Sequence, residues 1–426
     1  MSQPTPRKTL PLAGRGWSEL EPALQALRSD DVDWRAGRTP LHVYHAGEET
    51  LDVARRAYAM FITENALAPA AFPSLARMQR DLVDIALSLL GGGPEAGGTL
   101  TSGGTESILL ATRSALQSFR ARGRHLHPGA RPHLLLPSSA HPAWDKAAEL
   151  MGLDTIRIAL DADWRADIAT FAAHLRDDTV LAVASAPSLP FGMIDPVEAM
   201  ADCAAARGVW LHVDACIGGF LAPHVAALRG GVPAFDLSIP GVRSLSADLH
   251  KFGYTPKGAS VVLYRDDADR LHGFAHDAWP KGMYRTETLG GTRPGGAIAA
   301  AWAVMHHLGE EGYRRLAERA MSARDRLLAG IEATPGLRVL GAPPLSVIAF
   351  TADATVAGAP DIHAVGDALT GRGWYVSRLS APAALHMTVT ANHGQMVEPW
   401  LADLAASMAE AGQRSSEAPS RLIETY

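Results

Sequence analysis

Short apolar runs alternate with helix-length segments through the middle of the sequence, and this alternation constrains the fold more than any other feature. The runs predict strands at 133–137, 180–185, 209–214, 244–246 and 260–264. The segments beside them predict helices at 106–122, 143–151 and 196–207. Strands joined by helices indicate βαβ units around a mostly parallel sheet. Such sheets place their chemistry at the carboxyl ends of the strands.

The chain is too long for one small core, so we expect several structural units. After about residue 298 the pattern becomes more helical up to about 331, and a smaller α+β portion follows. The predicted units are an N-terminal arm (1–55) with one helix at 17–27, a large domain (56–300), a small C-terminal domain (301–412) and a mobile polar tail (413–426).

Charge and cysteine content exclude several classes of protein. The net charge is -6 and no basic run occurs, so nothing favours a nucleic acid partner. The two cysteines rule out a disulfide framework and suit a reducing compartment. Neither a signal peptide nor an apolar stretch of about 18 residues is present. We therefore expect a cytoplasmic protein without a transmembrane anchor. The scattered histidines predict no metal site.

The segment from Ser246 to Gly258, SADLHKFGYTPKG, carries the strongest chemical signal. Lys251 follows an apolar strand and a histidine, and a Gly-Tyr-x-Pro turn comes next. Most lysines are solvated surface residues, and alone Lys251 would be interpreted that way. A lysine that forms a Schiff base with an aldehyde needs such a loop at a strand end, where its ε-amine is partly buried.

A second segment, HVDACIGGF, ends a predicted strand with Asp214. A buried carboxylate costs several kcal/mol unless it is paired. The protonated ring nitrogen of pyridoxal 5′-phosphate (PLP) is such a partner, and Lys251 would supply the amine that this cofactor requires. The alternative, a helix-capping aspartate before a Gly-rich turn, is less favoured because Gly218 and Gly219 allow a flat ring to approach.

A Gly-rich turn leads into a helix at TSGGTES, residues 101–107. The backbone N–H groups and the helix dipole there favour a phosphate, and Thr105 and Ser107 add hydroxyl donors. The segment is neither a P-loop nor a dinucleotide fingerprint. His141 lies just beyond another predicted strand, where an imidazole can stack on the cofactor ring or act as an acid or base.

Several phrases resemble the group II PLP-dependent decarboxylase superfamily, and within it most closely the sphingosine-1-phosphate lyases. They are TSGGTESILLA, HVDACIGGFL, SADLHKFGYTPKGASVVLY and GGTRPGG, joined in order by VDWRAGR, PLSVIAF and GWYVSRL. The resemblance covers roughly residues 10 to 410. It implies the type I aminotransferase-like fold, with a large domain containing a mostly parallel seven-stranded sheet. It also implies a small C-terminal α+β domain and a homodimer with shared active sites.

The resemblance also implies a role for each matching residue. Lys251 binds PLP covalently, Asp214 pairs with the ring nitrogen, and His141 stacks over the ring. The residues implied to contact the cofactor phosphate are Gly104, Thr105, His250 and, from the partner subunit, Thr292.

Lys257, six residues after Lys251, favours the lyases over glutamate decarboxylases, because a second cation there can hold a substrate phosphate. Tyr44 falls on a position associated with that phosphate and Asn65 on one near the active site. The sequence also departs from the lyases. Ala68 stands where a phosphate-binding histidine is expected, and His42 replaces a small residue, so that either His42 or another group compensates for the missing histidine or the substrate differs.

Three functions remain open from the sequence. The favoured one is retro-aldol cleavage of a phosphorylated sphingoid base to a long-chain aldehyde and phosphoethanolamine. The second is α-decarboxylation of an amino acid, with Arg293 as a candidate cation for the substrate carboxylate. The third is a PLP-binding protein without turnover, which intact Lys251, Asp214 and His141 disfavour. Lys251, His141 and Tyr44 are all candidate bases.

Overall fold

The large sheet organises most of the chain. The computed structural model describes residues 7–123, 131–270, 274–356 and 358–414. Within these ranges the large sheet has seven strands. They are β1 (Gly97–Thr101), β2 (His133–Pro137), β3 (Asp154–Ile158), β4 (Thr179–Ser185), β5 (Trp210–Asp214), β6 (Val242–Ala247) and β7 (Ser260–Tyr264).

The strand order is β1-β7-β6-β5-β4-β2-β3, and only β7 runs against the others in this described sheet. Every residue of β4 and β5 is buried, as expected for central strands of a sheet that is covered on both faces. The prediction of a mostly parallel seven-stranded sheet in an α/β fold is therefore confirmed.

The helices cover both faces of this sheet and continue into the C-terminal part. Their described ranges are α1 (Trp17–Ala26), α2 (Glu48–Met60), α3 (Pro73–Leu89), α4 (Gly104–Ala121), α5 (Ala143–Met151), α6 (Ile168–His174), α7 (Val197–Ala206), α8 (Ala222–Arg229), α9 (Asp267–Arg270), α10 (Gly295–Glu332), α11 (Ile362–Gly371) and α12 (Val397–Arg414). None of these helices combines the length and the apolar character that crossing a bilayer requires.

A smaller antiparallel sheet follows, in the order β10-β11-β13-β12. Its strands are β10 (Leu337–Val339), β11 (Val347–Ala352), β12 (Ser377–Ser380) and β13 (Ala383–Thr388), and a separate hairpin is formed by β8 (Phe274–His276) and β9 (Tyr284–Thr286). Helix α10 joins the two sheets, since its residues from Ile298 to Met321 pack in the core of the large sheet and those from Ala323 to Ile331 in that of the small one. The predicted small C-terminal α+β unit is confirmed.

Helix α10 is broken at Gly309, where φ is 57° and ψ is -178°. Residues with a side chain rarely adopt that backbone conformation, whereas glycine adopts it without a steric clash, so a glycine is expected at the break. The predicted boundary between the large and small domains, at residue 300, lies inside α10. The division into 1–55, 56–300 and 301–412 remains a prediction, and the predicted mobile tail lies almost entirely outside the described residues.

The predicted N-terminal arm packs against the small C-terminal unit. Backbone hydrogen bonds join Tyr375 N to Arg38 O (2.9 Å) and Thr388 N to Pro40 O (2.7 Å). The arm therefore carries residues 38–45 to the junction of the large and small units. Further toward the N-terminus, α1 buries none of its own residues in this chain.

Most predicted strands and helices match the structure, and the misses have a physical reason. Strand β1, which leads into the Gly-rich turn, was not predicted, because Gly97 and Gly98 have a low strand propensity. Gly98 is needed there, since a side chain would meet Leu263 and Val262 of β7. Strand β3 was not predicted because it is an edge strand with few buried residues.

Candidate active site

A cavity of about 380 Å³ opens at the carboxyl ends of the parallel strands. It collects six of the predicted residues, which come from four separate loops or strand ends: Gly104, Thr105, His141, Asp214, His250 and Lys251. Strands β1, β2, β5 and β6 each deliver part of this set at or shortly after their last residue. This is the edge at which parallel sheets bind their ligands.

Lys251 lies in the turn after β6 and contacts a carboxylate that the sequence analysis did not single out. Its Nζ is 3.1 Å from Oδ2 of Asp248, and that aspartate is only 2% exposed. Burial by itself lowers the pKa of Lys251, but the attraction of Asp248, Cys216, Tyr44 and Asp214 outweighs it, so that the pKa is raised. The ammonium is thus held at one position in the cavity wall.

Asp214 ends β5 with its carboxylate directed by two donors. The indole Nε1 of Trp144 donates to Oδ2 (3.3 Å), and the backbone N–H of Cys216 donates to Oδ1 (3.2 Å). Behind it, His212 is fully buried, and burial lowers its pKa to about 4. A neutral His212 adds no positive charge beside the Asp214 carboxylate.

The N-terminus of α4 forms one end of the cavity, at Gly103 and Gly104. The first N–H groups of a helix have no partner within it, so they can bind an anion. Gly104 allows the backbone to pass close to its neighbours, because a Cβ there would lie 2.8 Å from Cys216 Sγ and 3.1 Å from Asp248 Oδ2. Thr105 follows on the same turn.

Glu106 is a site residue that sequence reasoning missed. Its buried carboxylate accepts hydrogen bonds from the backbone N–H and the hydroxyl of Ser102, both at 2.7 Å. It also accepts from the backbone N–H of Leu289 at 2.8 Å. Glu106 therefore ties the loop before α4 to the segment that leads to Thr292. The two are so far apart in sequence that no local pattern signals the contact.

His141 lies at the start of α5 and lines the same cavity. The backbone N–H of Ala143 donates to its Nδ1 (3.1 Å). Burial, and to a lesser degree Lys251, lower the pKa of this imidazole, against the attraction of Asp214. A neutral ring that accepts at Nδ1 carries its proton on Nε2. His141 can therefore donate a hydrogen bond into the cavity through Nε2.

The donor set fits a phosphorylated aldehyde with a basic ring nitrogen, which is the chemistry of PLP. The helix N-terminus could receive the phosphate, Lys251 could supply the amine, and Asp214 could pair with the ring nitrogen. Two buried polar atoms, Asp248 Oδ1 and His250 Nδ1, have no hydrogen-bond partner among the described residues. Buried polar groups of native proteins rarely stay unsatisfied, so both point to a polar ligand.

A second cavity of about 220 Å³ adjoins the first and contains two more of the predicted residues, Tyr44 and Lys257. Lys257 Nζ donates to the carbonyl of His250 (3.1 Å) and lies 5.1 Å from the centre of the Tyr44 ring. Burial, followed by the repulsion of Lys251, lowers the pKa of Lys257 to about 8. The structure thus brings the second predicted cation beside the first.

Asn65 and Thr292 lie together but line neither of these two cavities. Asn65 Nδ2 donates to Thr292 Oγ1 (3.4 Å), and Asn65 Oδ1 accepts from the backbone N–H of Arg293 (3.2 Å). The Arg293 side chain contacts Gln79 and the carbonyl of Ala66. Thr292 is exposed and lies outside the cofactor cavity of its own chain, and its contact with a cofactor phosphate stays a prediction.

Comparisons with known proteins identify the relatives of this chain. The pyridoxal-dependent decarboxylase conserved domain matches residues 42–353. A sphingosine-1-phosphate lyase of Oryza sativa is 37% identical over 95% of this chain and 75% of that protein. A probable L-tyrosine/L-aspartate decarboxylase of Methanothermobacter thermautotrophicus is 33% identical over 79% of this chain and 88% of that protein.

The fold also matches a solved structure. The structure of a Burkholderia pseudomallei sphingosine-1-phosphate lyase superposes with a TM-score of 0.90 and is 38% identical, covering 96% of this chain and 94% of that one.

Proposed function

The chain belongs to the pyridoxal-dependent decarboxylase family, among the relatives of the sphingosine-1-phosphate lyases, and from this premise we propose the reaction that its site supports best. It is a PLP-dependent lyase. Its proposed substrate is a phosphorylated sphingoid base, such as sphinganine 1-phosphate, cleaved between the amine-bearing and hydroxyl-bearing carbons. The proposed products are a long-chain aldehyde and phosphoethanolamine.

When bound, PLP supplies the electron sink that bond cleavage beside an amine requires. We propose that Lys251 holds it through the ε-amine, while the N-terminus of α4 with Gly104, Thr105 and His250 receives its phosphate. Asp214 would keep the ring nitrogen protonated. The hydrogen bonds from Trp144 and Cys216 hold its carboxylate in place, and the carboxylate lines the cavity where the ring would lie. His141 would lie against the ring.

Lys257 is the observation that carries the choice of substrate. Lys257 lies in the second cavity, which adjoins the cavity that contains the cofactor residues. No carboxylate lines this second cavity in the part of the chain that the structure describes. A desolvated ammonium without a carboxylate partner is stabilised by an arriving anion. A substrate phosphate provides that anion, and Tyr44, whose ring lies against Lys257, provides a hydroxyl beside it.

The geometry narrows the choice of base for the substrate hydroxyl. His141 carries its proton on Nε2 when its Nδ1 accepts from Ala143, so it is a donor toward the cavity and a poor proton acceptor there. Lys251 and Tyr44 remain as candidate bases, since Lys251 lines the cofactor cavity and Tyr44 lines the adjoining one.

Amino-acid decarboxylation remains the second candidate, since one relative carries that name. It needs a cation for the substrate carboxylate. Arg293, the candidate from the sequence, contacts Gln79 and Ala66 and does not line the cofactor cavity of its own chain. Its neighbour Thr292 lies outside that cavity too, so the position of Arg293 does not decide between the two reactions, and Lys257 is the residue that favours the lyase.

The test is direct. The PLP-loaded protein, incubated with sphinganine 1-phosphate, is expected to release hexadecanal and phosphoethanolamine in equal amounts, measured by mass spectrometry. Release of CO₂ from an amino acid under the same conditions, without aldehyde from the phosphorylated base, would replace the lyase with the decarboxylase.

We also propose that the protein is a cytoplasmic homodimer with shared active sites. Thr292 and Asn65 lie outside the cofactor cavity of their own chain, so a second chain is needed to bring them to it. Helix α1 leaves an apolar face exposed within one chain, with Trp17 65%, Leu24 51% and the following Leu27 79% exposed. Sedimentation of the full chain should give twice the mass of one chain, and a fully active monomer would contradict the proposal.

A further inference from the structure

The second cavity has a further feature beyond Lys257 and Tyr44. His42, from the N-terminal arm, lines it at the solvent-exposed edge. Its Nε2 lies 3.2 Å from the hydroxyl of Tyr375, and the two rings meet edge to face with centroids 5.4 Å apart. Tyr375 belongs to the small C-terminal unit, so the imidazole is held between the arm and that unit.

Two residues that line this cavity have a strained backbone. His42 has a φ of 66° and Tyr254 a φ of 56°. They are two of the three non-glycine residues with such a φ in the described part of the chain. The left-handed conformation costs a side-chain-bearing residue on the order of 1–2 kcal/mol, and such strain clusters at ligand-binding sites.

The electrostatics of the cavity match an anion. Partial enclosure of His42 by protein, and then the positive charges of Lys257 and Lys251, lower the pKa of its imidazole. Both lysines therefore act on this ring, and no carboxylate among the described lining residues offsets them. When the Tyr375 hydroxyl donates to Nε2, the neutral ring carries its proton on Nδ1 and is a hydrogen-bond donor there.

We propose that His42, oriented by Tyr375, binds the phosphate of the substrate together with Lys257 and Tyr44. The assignment rests on the proposed function for the identity of the substrate, but the ligand it requires is only a phosphate ester carried by a small amine. His42 is then a specificity residue supplied by the arm, and Tyr375 is the residue that positions it.

The test compares His42→Asn with the wild-type holoenzyme. Asparagine tolerates a positive φ better than most residues, so the variant removes the imidazole while it keeps the backbone. For sphinganine 1-phosphate we expect KM to rise about tenfold, as for one lost hydrogen bond to a charged group, with kcat within about twofold. Tyr375→Phe, which loses only the hydroxyl, should raise KM by a smaller factor.

His45→Asn is the matched control. His45 lines the same cavity, but its ring packs on Trp34 and faces Glu48 at 3.7 Å, so we expect no change in KM. An unchanged KM in His42→Asn, or an equal rise in His45→Asn, would overturn the inference. So would a drop in kcat without a change in KM, because that pattern would indicate a role in the reaction step and not in phosphate binding.

A binding measurement separates this inference from the proposed function. Phosphoethanolamine is titrated into the wild-type holoenzyme and into the His42→Asn holoenzyme, and binding is measured by calorimetry. The dissociation constant should be about tenfold higher for His42→Asn than for the wild type. If that dependence holds while no aldehyde is released from sphinganine 1-phosphate, the function fails and the anion site stands. If aldehyde is released and phosphoethanolamine binds both proteins equally, the anion assignment fails and the function stands.

Discussion

Replacing Lys251 with alanine is expected to abolish turnover and the visible absorbance of the lysine-bound cofactor together. Lys251 carries the ε-amine that can hold an aldehyde covalently in this cavity. Asp248 positions this amine, with 3.1 Å between Lys251 Nζ and Asp248 Oδ2. Loss of a covalent catalytic group lowers kcat on the order of 10⁴- to 10⁶-fold. The measurement is the absorption spectrum of the PLP-treated variant, followed by the aldehyde assay.

Lys257→Ala is the matched control, since it removes a lysine only six residues away that lines the adjoining cavity. It should keep the cofactor absorbance and lose affinity for the phosphorylated substrate. The assignment of Lys251 would be wrong if Lys251→Ala kept its absorbance band, or if the band disappeared in Lys257→Ala instead.

Asp214→Asn is expected to lower kcat by roughly 10²- to 10⁴-fold while the protein remains folded. Asparagine has nearly the same shape and its carbonyl can still accept from Trp144 or Cys216, but it has no charge to hold a proton on the ring nitrogen. Breaking a buried ion pair by removing one partner costs about 3–5 kcal/mol, and each 1.36 kcal/mol is a factor of ten in rate.

Two comparisons isolate the role of this carboxylate. Trp144→Phe removes the indole donor to Asp214 and leaves the charge, so its kcat should fall far less. Asp248→Asn tests the other buried carboxylate of the cavity, which we expect to act on Lys251 and not on the ring. If Asp248→Asn lost more activity than Asp214→Asn, the pairing of the ring nitrogen would have to be reassigned to Asp248.

Position 68 illustrates what a resemblance can and cannot supply. The resemblance to the lyases implies a phosphate-binding histidine at position 68, but this chain has Ala68, whose side chain has no hydrogen-bond donor. Nothing local in the sequence says which residue compensates. His42 and Tyr375, which form the arrangement that could do so, are 333 positions apart. Only the packing of the arm on the small C-terminal unit brings them together.

The sequence alone determined the parts of the site that are local. Lys251, Asp214 and His141 each lie at or shortly after the end of a parallel strand that could be predicted from its apolar run, and the Gly-rich turn before α4 could be predicted although strand β1 could not. Parallel strands that are neighbours in one sheet end at the same edge, so their terminal residues had to meet. The α/β fold and the cofactor follow from that rule and from the chemistry of the residues.

The tertiary structure decided the contacts that have no local signal. Glu106 accepts a hydrogen bond from the backbone N–H of Leu289, which is 183 positions away. The turn after β6 brings the Asp248 carboxylate beside the Lys251 amine. The separation of Asn65 and Thr292 from the cavity of their own chain was likewise decided by packing. A buried charge depends on distances in three dimensions, and residue spacing in a loop does not fix those distances.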